Sequence, residues 1–129
     1  MNKAKLTASA LVLLVKDVVE SAKWYVERMG FENPEFVGEP PVFCMINRDD
    51  FQVFFSKADE NKIIPNWKIV DKMWNAYFWV DDVESLYKEF IERGATIDYE
   101  LHLKVYNVLE FGINDPDGYD IAFGQIMNS

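Results

Sequence analysis

This sequence is short of the residues that build most reactive centres. It has one cysteine, Cys44, and one histidine, His102. A single cysteine excludes an intrachain disulfide and any zinc site built on cysteines. Cys44 stands in the apolar run PVFCMI, far along the chain from the only imidazole, and is expected to be a small buried hydrophobe. His102 sits between Leu101 and Leu103 and reads as an ordinary strand residue, not a ligand. Basic residues are scarce too: 13 Lys and Arg stand against 22 Asp and Glu, a net charge of −9. Such a chain has no basic stripe to neutralise phosphates, which argues against nucleic acid as a partner. No apolar run approaches the ~20 residues that cross a bilayer, so no membrane partner is expected. The N-terminal MNKAKLTASALVLLV only faintly imitates a signal peptide. Its apolar run ends at Lys16-Asp17 without a cleavage site and reads as a buried first strand, which implies a cytoplasmic protein. Also missing are GxSxG, a phosphate loop, HExxH and any nucleophile paired with a base.

What the chain does have is apolar surface. Half of the 129 residues are hydrophobic and 16% are aromatic, ample to offset chain entropy and more than a small core requires. Some of those rings are therefore expected to line a pocket or a subunit interface. The acidic balance suits solubility and would also attract a cationic small molecule.

The chain is written twice. ALVLLVKDVVESAKWYVERMGF, from Ala10 to Phe31, matches NAYFWVDDVESLYKEFIERGATI, from Asn75 to Ile97. Each is an apolar strand ending in Val, then Asp, then Val with Glu-Ser close behind, then a helix that stops at Gly. Asp17 and Asp82 stand 65 positions apart, Gly30 and Gly94 64. Asp17 is a helix cap, with Glu20 completing a capping box, and Asp82 is the analogous cap. Val18, Ala22, Tyr25 and Met29 make one buried helical face; Val83, Leu86, Tyr87, Phe90 and Ile91 make the other. Strand-like runs follow each helix: PVFCMIN and FQVFFSK, then VYNVLEFGIN and YDIAFGQI. Each half reads β-α-β-β-β in a single α+β domain, with modules at 6–58 and 73–127 and a linker at 59–72. One half alone is too small to hide both faces of its sheet, so two are expected to curl around a cleft.

With its paired units and the ending DPDGYDIAFGQ, the chain resembles the vicinal oxygen chelate superfamily, which includes glyoxalase I, extradiol dioxygenases and bleomycin resistance proteins. LEFGINDPDGYDIAFGQ is most similar to the bleomycin-resistance branch. The resemblance implies two βαβββ modules forming a half-barrel cup with the helices outside. Metal-dependent members hold their ion with His from the first strand of each module and Glu from the last strands. Carried onto this sequence, those places fall at Ala10, Gln52, Asn75 and Ala122. Two methyl groups and two neutral amides do not replace imidazoles and carboxylates, so neither a metal nor any other cofactor is expected.

Strand parity assigns residues to the cup. If Val15 and Val80 face their helices, then Val12, Leu14, Gln52, Phe54, Asn75, Tyr77, Trp79, Asp120, Ala122 and Gly124 face away from them. The candidate ligand-binding residues are Gln52, Phe54, Asn75, Tyr77, Trp79 and Glu110. Trp67 in the linker joins them, because the resemblance implies a groove between subunits walled by loop aromatics. No catalytic residue and no metal ligand is assigned. The function expected is metal-independent sequestration of an aromatic or cationic organic molecule by a homodimer, as in antibiotic resistance. The alternatives are a lyase, isomerase or dioxygenase of the same superfamily with a displaced metal site, or a cup that receives another polypeptide.

Overall fold

The computed structural model describes residues 2–128. Its organisation follows from the two repeated strand-helix units. Strand β1 (Ala10–Val15) leads to helix α1 (Val18–Met29), and β5 (Ala76–Trp79) leads to α2 (Val83–Arg93). Asp17 accepts the N–H groups of Val19 and Glu20; Asp82 accepts that of Ser85. These caps satisfy donors that the first helical turn leaves unpaired. Of the capping box expected at Glu20, the forward half forms, with the Glu20 N–H donating to Asp17 Oδ1 at 3.1 Å. Gly30 and Gly94 end the helices in the left-handed conformation, at φ 69° and 79°.

Three strands follow each helix: β2 (Glu32–Val37), β3 (Phe43–Arg48) and β4 (Phe51–Lys57), then β6 (Thr96–Leu103), β7 (Val108–Asn114) and β8 (Asp120–Ile126). They make two four-stranded sheets of the same topology, β1-β4-β3-β2 and β5-β8-β7-β6. In each, the first strand pairs in parallel with the last, and the other contacts are antiparallel. This is the α+β arrangement of two βαβββ modules. Within the second half, Val105-Tyr106-Asn107 forms a turn and not the start of a strand, since Asn107 takes a positive φ and its N–H bonds Lys104 O.

The helical faces go where the periodicity points. Val18, Ala22, Tyr25 and Met29 are buried against the first sheet, and Val83 and Phe90 against the second; Ile91 stands half out in solvent at the edge of its face. One continuous core joins the modules. Tyr25 shows how. Its ring packs edge-on against Phe55 and Phe31 of the first module, at 4.9 and 5.7 Å, while its hydroxyl donates to Asp115 of the second at 2.6 Å. The β7–β8 turn is further tied by Asp117 to Lys16 N–H and the Ser21 hydroxyl, and by the Tyr119 hydroxyl to Leu14 O. At the far end the helices cap each other: Arg28 donates to Arg93 O and Arg93 to Glu27 O. A cation at a helix C-terminus also meets the negative end of the dipole. Cys44 is fully buried, and burial pushes its thiol up to about 11.

In a single chain the two sheets are covered unequally. The far face of the first carries Val12 and Leu14, 57% and 44% exposed, with Phe54 and Met45 beside them. The first strand is therefore buried on one face only, because α1 covers that side alone. The far face of the second lies under the linker, whose 3₁₀ turns Glu60–Lys62 and Asn66–Lys68 bring Trp67 over it. No described helix is long and apolar enough to cross a membrane.

Asp115 gives the module contact a pH dependence. Burial, the largest influence, raises its carboxyl from 3.8 to about 6, against the lowering effect of bonds from Tyr25, Tyr119 and Asp117. A raised acid contributes stability that is full below the unfolded value of 3.8 and is lost as pH climbs through about 6. Asp115→Asn does not titrate. Chemical denaturation from pH 4 to pH 7 is expected to show wild type losing on the order of 3 kcal/mol relative to that variant. A pH-independent difference would contradict this account.

Candidate functional site

Glu110 on β7 organises the far face of the second sheet. It is fully buried, yet a carboxylate out of water must find donors. Three phenols supply them. Tyr77 and Tyr106 donate to one oxygen at 2.7 and 2.9 Å, and Tyr99 to the other at 2.7 Å; Lys104 Nζ stands 3.9 Å away. Trp74 donates to the Tyr99 hydroxyl at 3.1 Å and packs edge-on against Tyr77 at 4.7 Å. Burial first, and the hydrogen bond to Glu110 second, push the Tyr77 and Tyr99 hydroxyls up, so both remain protonated donors.

The sequence makes room for these rings. A Cβ on Gly112 would meet the Tyr99 ring, and one on Gly124 would meet the Tyr77 hydroxyl first and Val108 Cγ1 less closely. Ala122 lies between them, opposite Tyr77 on one side and Gly112 on the other, and is fully buried. At this spot the superfamily resemblance anticipates a carboxylate. Here the place is packed by a methyl group under tyrosines.

Strand register corrects one of the four anticipated positions. Tyr77 is opposite Ala122, and its repeat counterpart Val12 is opposite Phe54. Phe54, not Gln52, is therefore the first-module equivalent of Ala122; sequence spacing alone could not fix a pairing set by the fold. Ala10 and Gln52 face each other across β1 and β4, and the Asn75 backbone bonds Asp120 O. None of Ala10, Phe54 and Ala122 offers a donor, and Asn75 Oδ1 is already bonded to Asn66 N–H at 2.8 Å. These residues do not fit the superfamily's divalent ion. Among the described residues no three His, Cys, Asp or Glu side chains stand together as a metal site.

Above the Glu110 cluster lies a groove of about 620 Å³. Trp67, Trp74 and Tyr99 wall it, and Asp71, Asp98 and Asp120 line it together with Lys72, Lys104 and His102. Trp67 is fixed by its indole N–H on Gly118 O at 2.6 Å. Asn75 acts beneath it, tying down the turn that carries Trp67. Asp120 is buried beside Asp98; burial foremost, then the neighbouring carboxylate, raises its carboxyl above the ordinary value. His102 is exposed, its Nδ1 2.8 Å from Glu100 O.

Of the expected residues, Trp67 and Glu110 line this groove, and Tyr77 stands behind it through its bond to Glu110. Trp79 adjoins Tyr77 at 4.9 Å but is 60% exposed at the strand end. Gln52 and Phe54 belong to the other sheet: Gln52 lies exposed beside residues 6–9, and Phe54 packs against Phe43 at 5.6 Å. Tyr99, Tyr106 and Asp98 were missed. They come from β6 and the turn after it, where two register shifts break the alternation that would have placed them.

Gly124→Ala tests the packing. Overfilling a core of this kind costs about 1–3 kcal/mol. That loss, read by urea denaturation, is expected to shrink to less than half in a Tyr77→Ala background, where the obstructing ring is gone. An equal loss in both backgrounds would show that Tyr77 is not what the glycine accommodates.

Residues 7–123 match the profile of the Glyoxalase/Bleomycin resistance protein/Dioxygenase superfamily. None of the curated proteins matches significantly in sequence. Among solved structures, TioX from Micromonospora sp. ML1 is 16% identical, with 94% of this chain and 99% of that one covered and a TM-score of 0.72. A glyoxalase-related enzyme from Clostridium phytofermentans is 14% identical, with 98% and 100% covered and a TM-score of 0.76. TnmS3, an antibiotic binding protein from Streptomyces sp. CB03234, is 17% identical, with 98% and 100% covered and a TM-score of 0.71. At such identities the likeness to these structures is one of fold. The profile match spans nearly the whole chain: the protein belongs to the glyoxalase/bleomycin resistance protein/dioxygenase superfamily.

Proposed function

We propose that this protein binds and sequesters a small aromatic organic cation, without a catalytic metal, in the groove above Glu110. The observation that carries the reading is the pairing of aromatic walls with acidic lining. Trp67, Trp74 and Tyr99 present rings, and Asp71, Asp98 and Asp120 present carboxyl groups against Lys72 and Lys104. Lys104 is already drawn to Glu110 and the Tyr99 face, 5.1 Å from the ring centre. Rings attract a cation through their quadrupole, and nearby carboxyl groups add charge. A concave aromatic surface with a few polar anchors is the usual form of a small-molecule site. A metal is left out of the reading because the anticipated ligand positions carry Ala10, Phe54, Asn75 and Ala122. The antibiotic binding named for TnmS3 supports the same class of role.

The reading includes a homodimer. The open face of the first sheet, with Val12, Leu14 and Phe54, is a sheet face that a second copy would cover. Exposed apolar patches of this kind mark association surfaces.

Titration with the planar cation berberine, followed by tryptophan fluorescence, is expected to give saturable quenching. Trp67→Ala is expected to weaken it about tenfold, and an anionic ring system such as 2-anthracenesulfonate to bind far less. Equal affinity for both probes would contradict the charge argument. Elemental analysis of protein purified without chelator or tag is expected to find no stoichiometric Zn, Ni, Mn or Fe; one equivalent per chain would favour a metal enzyme instead. Sedimentation is expected to give a dimer that Val12→Glu converts to monomer. An unchanged mass would move the interface elsewhere.

A further inference from the structure

A second cavity, of about 420 Å³, opens between the modules. It lies on the helix side of the second sheet, the face opposite the groove. Phe78 stacks on Phe123 at 5.5 Å, and Phe123 meets Phe90 of α2 edge-on at 5.2 Å; Tyr77, one residue from Phe78, points the other way to Glu110. From the first module Phe51 reaches across to Phe78, with ring centres 6.1 Å apart, and is 53% exposed. The wall is therefore made of rings from both halves of the chain.

Polar groups also line this cleft. Arg48 and Glu89 form a two-pronged ion pair at 2.7 and 2.8 Å, with Arg48 also donating to Met29 O and Arg93 also bonding Glu89 at 2.8 Å. Those charges are spent on one another. Asp49, Asp81 and Asp82 line the cleft as well. Asp82 caps α2 and Asp49 lies 4.0 Å from Arg48. Asp81 is exposed and enters no ion pair or side-chain hydrogen bond among the described residues.

A concave surface walled by rings from both modules is the usual form of a small-molecule site. We propose that this cleft is a second small-molecule site, which takes a flat aromatic ring system bearing a basic group. The rings lie in the cleft against the edge-on contact of Phe51 with Phe78, and the basic group points to Asp81. The exposed Asp81 carboxyl group selects a cation over an anion. Because the occupant touches both modules, it binds the folded chain alone and raises its melting temperature. The site stands apart from the groove of the proposed function, on the other face of the sheet.

The test is calorimetric and fluorescence titration with proflavine, a planar cation, on wild type and three variants whose folding is checked by urea denaturation. Trp67→Ala removes a wall of the groove. Phe51→Ser and Asp81→Asn alter exposed positions of the cleft. The expected result is one equivalent of proflavine that survives Trp67→Ala, is weakened at least tenfold by Phe51→Ser and several-fold by Asp81→Asn, and raises the melting temperature. Binding that disappears with Trp67→Ala while the cleft variants bind like wild type would overturn the proposal, as would no binding at all. If Trp67→Ala changes nothing while the cleft variants lose binding, the groove reading fails and the cleft stands.

Discussion

A carboxylate removed from water is tolerated only when every lone pair finds a donor, and Glu110 is removed from water completely. That demand shapes the second half of the molecule. It draws Tyr77 from β5, Tyr99 from β6 and Tyr106 from the following turn onto one point. The rings need space, and Gly112 and Gly124 provide it by having no side chain. Trp74, just past the linker, then closes over Tyr77 and Tyr99, and the linker sets Trp67 across the top. A groove with aromatic walls is thus a by-product of satisfying one buried charge. The same packing fills the spot where the resemblance places a metal-binding carboxylate. A carboxylate at Ala122 would lie among phenols already committed to another anion.

The two modules begin from one strand-helix code and end differently. Capping aspartates, buried helical faces, terminal glycines and sheet order are shared. So is the arginine of the last helical turn: Arg28 and Arg93 cross to each other's helix end, a reciprocal contact that only a repeat can make. The far faces are where the copies diverge. The first presents Val12, Leu14 and Phe54, aliphatic and aromatic groups with no polar cluster above them. The second presents Tyr77, Glu110 and Ala122 under a roof. One face is open and apolar, the other is roofed and carries a buried carboxyl group.

Much of this architecture was legible in the sequence because it is local. The Asp-Val starts, the Gly stops and the 3.6-residue spacing of Val18, Ala22, Tyr25 and Met29 are short-range signals, and strand parity sends Tyr77 to the face opposite the helix, where its hydroxyl meets Glu110. The candidate site was only partly legible, since its members meet through long-range pairing. The resemblance places the first-module counterpart of Ala122 at Gln52, whereas pairing of β1 with β4 puts Phe54 there. Tyr99 and Asp98 lie on a strand whose register slips twice, so no period in the sequence reveals which way they point. Tyr106 sits in a turn that reads as strand. Asn75 looked like a polar anchor of the cup; its oxygen instead holds the linker turn, a use visible only once Asn66 is seen beside it.

The second sheet is thus shared by two cavities, and its strand alternation sets what each can be. Odd and even residues of β5 serve different sides: Tyr77 turns to the carboxylate cluster, Phe78 to the stack beneath α2. On β8, Ala122 and Gly124 stay small so that phenols can approach from one side, while Phe123 between them fills the other with a ring. A two-residue period therefore places polar, hydrogen-bonded aromatics on one face and bare ones on the other. The groove above Glu110 is lined by Trp67, Trp74 and Tyr99 together with three aspartates and two lysines. The cleft between the modules is lined by Phe51, Phe78, Phe90 and Phe123 with Val80 and Leu86 among them. The sheet is one residue thick, so Phe123 and its neighbours Ala122 and Gly124 turn the two sides of a single strand toward the two cavities.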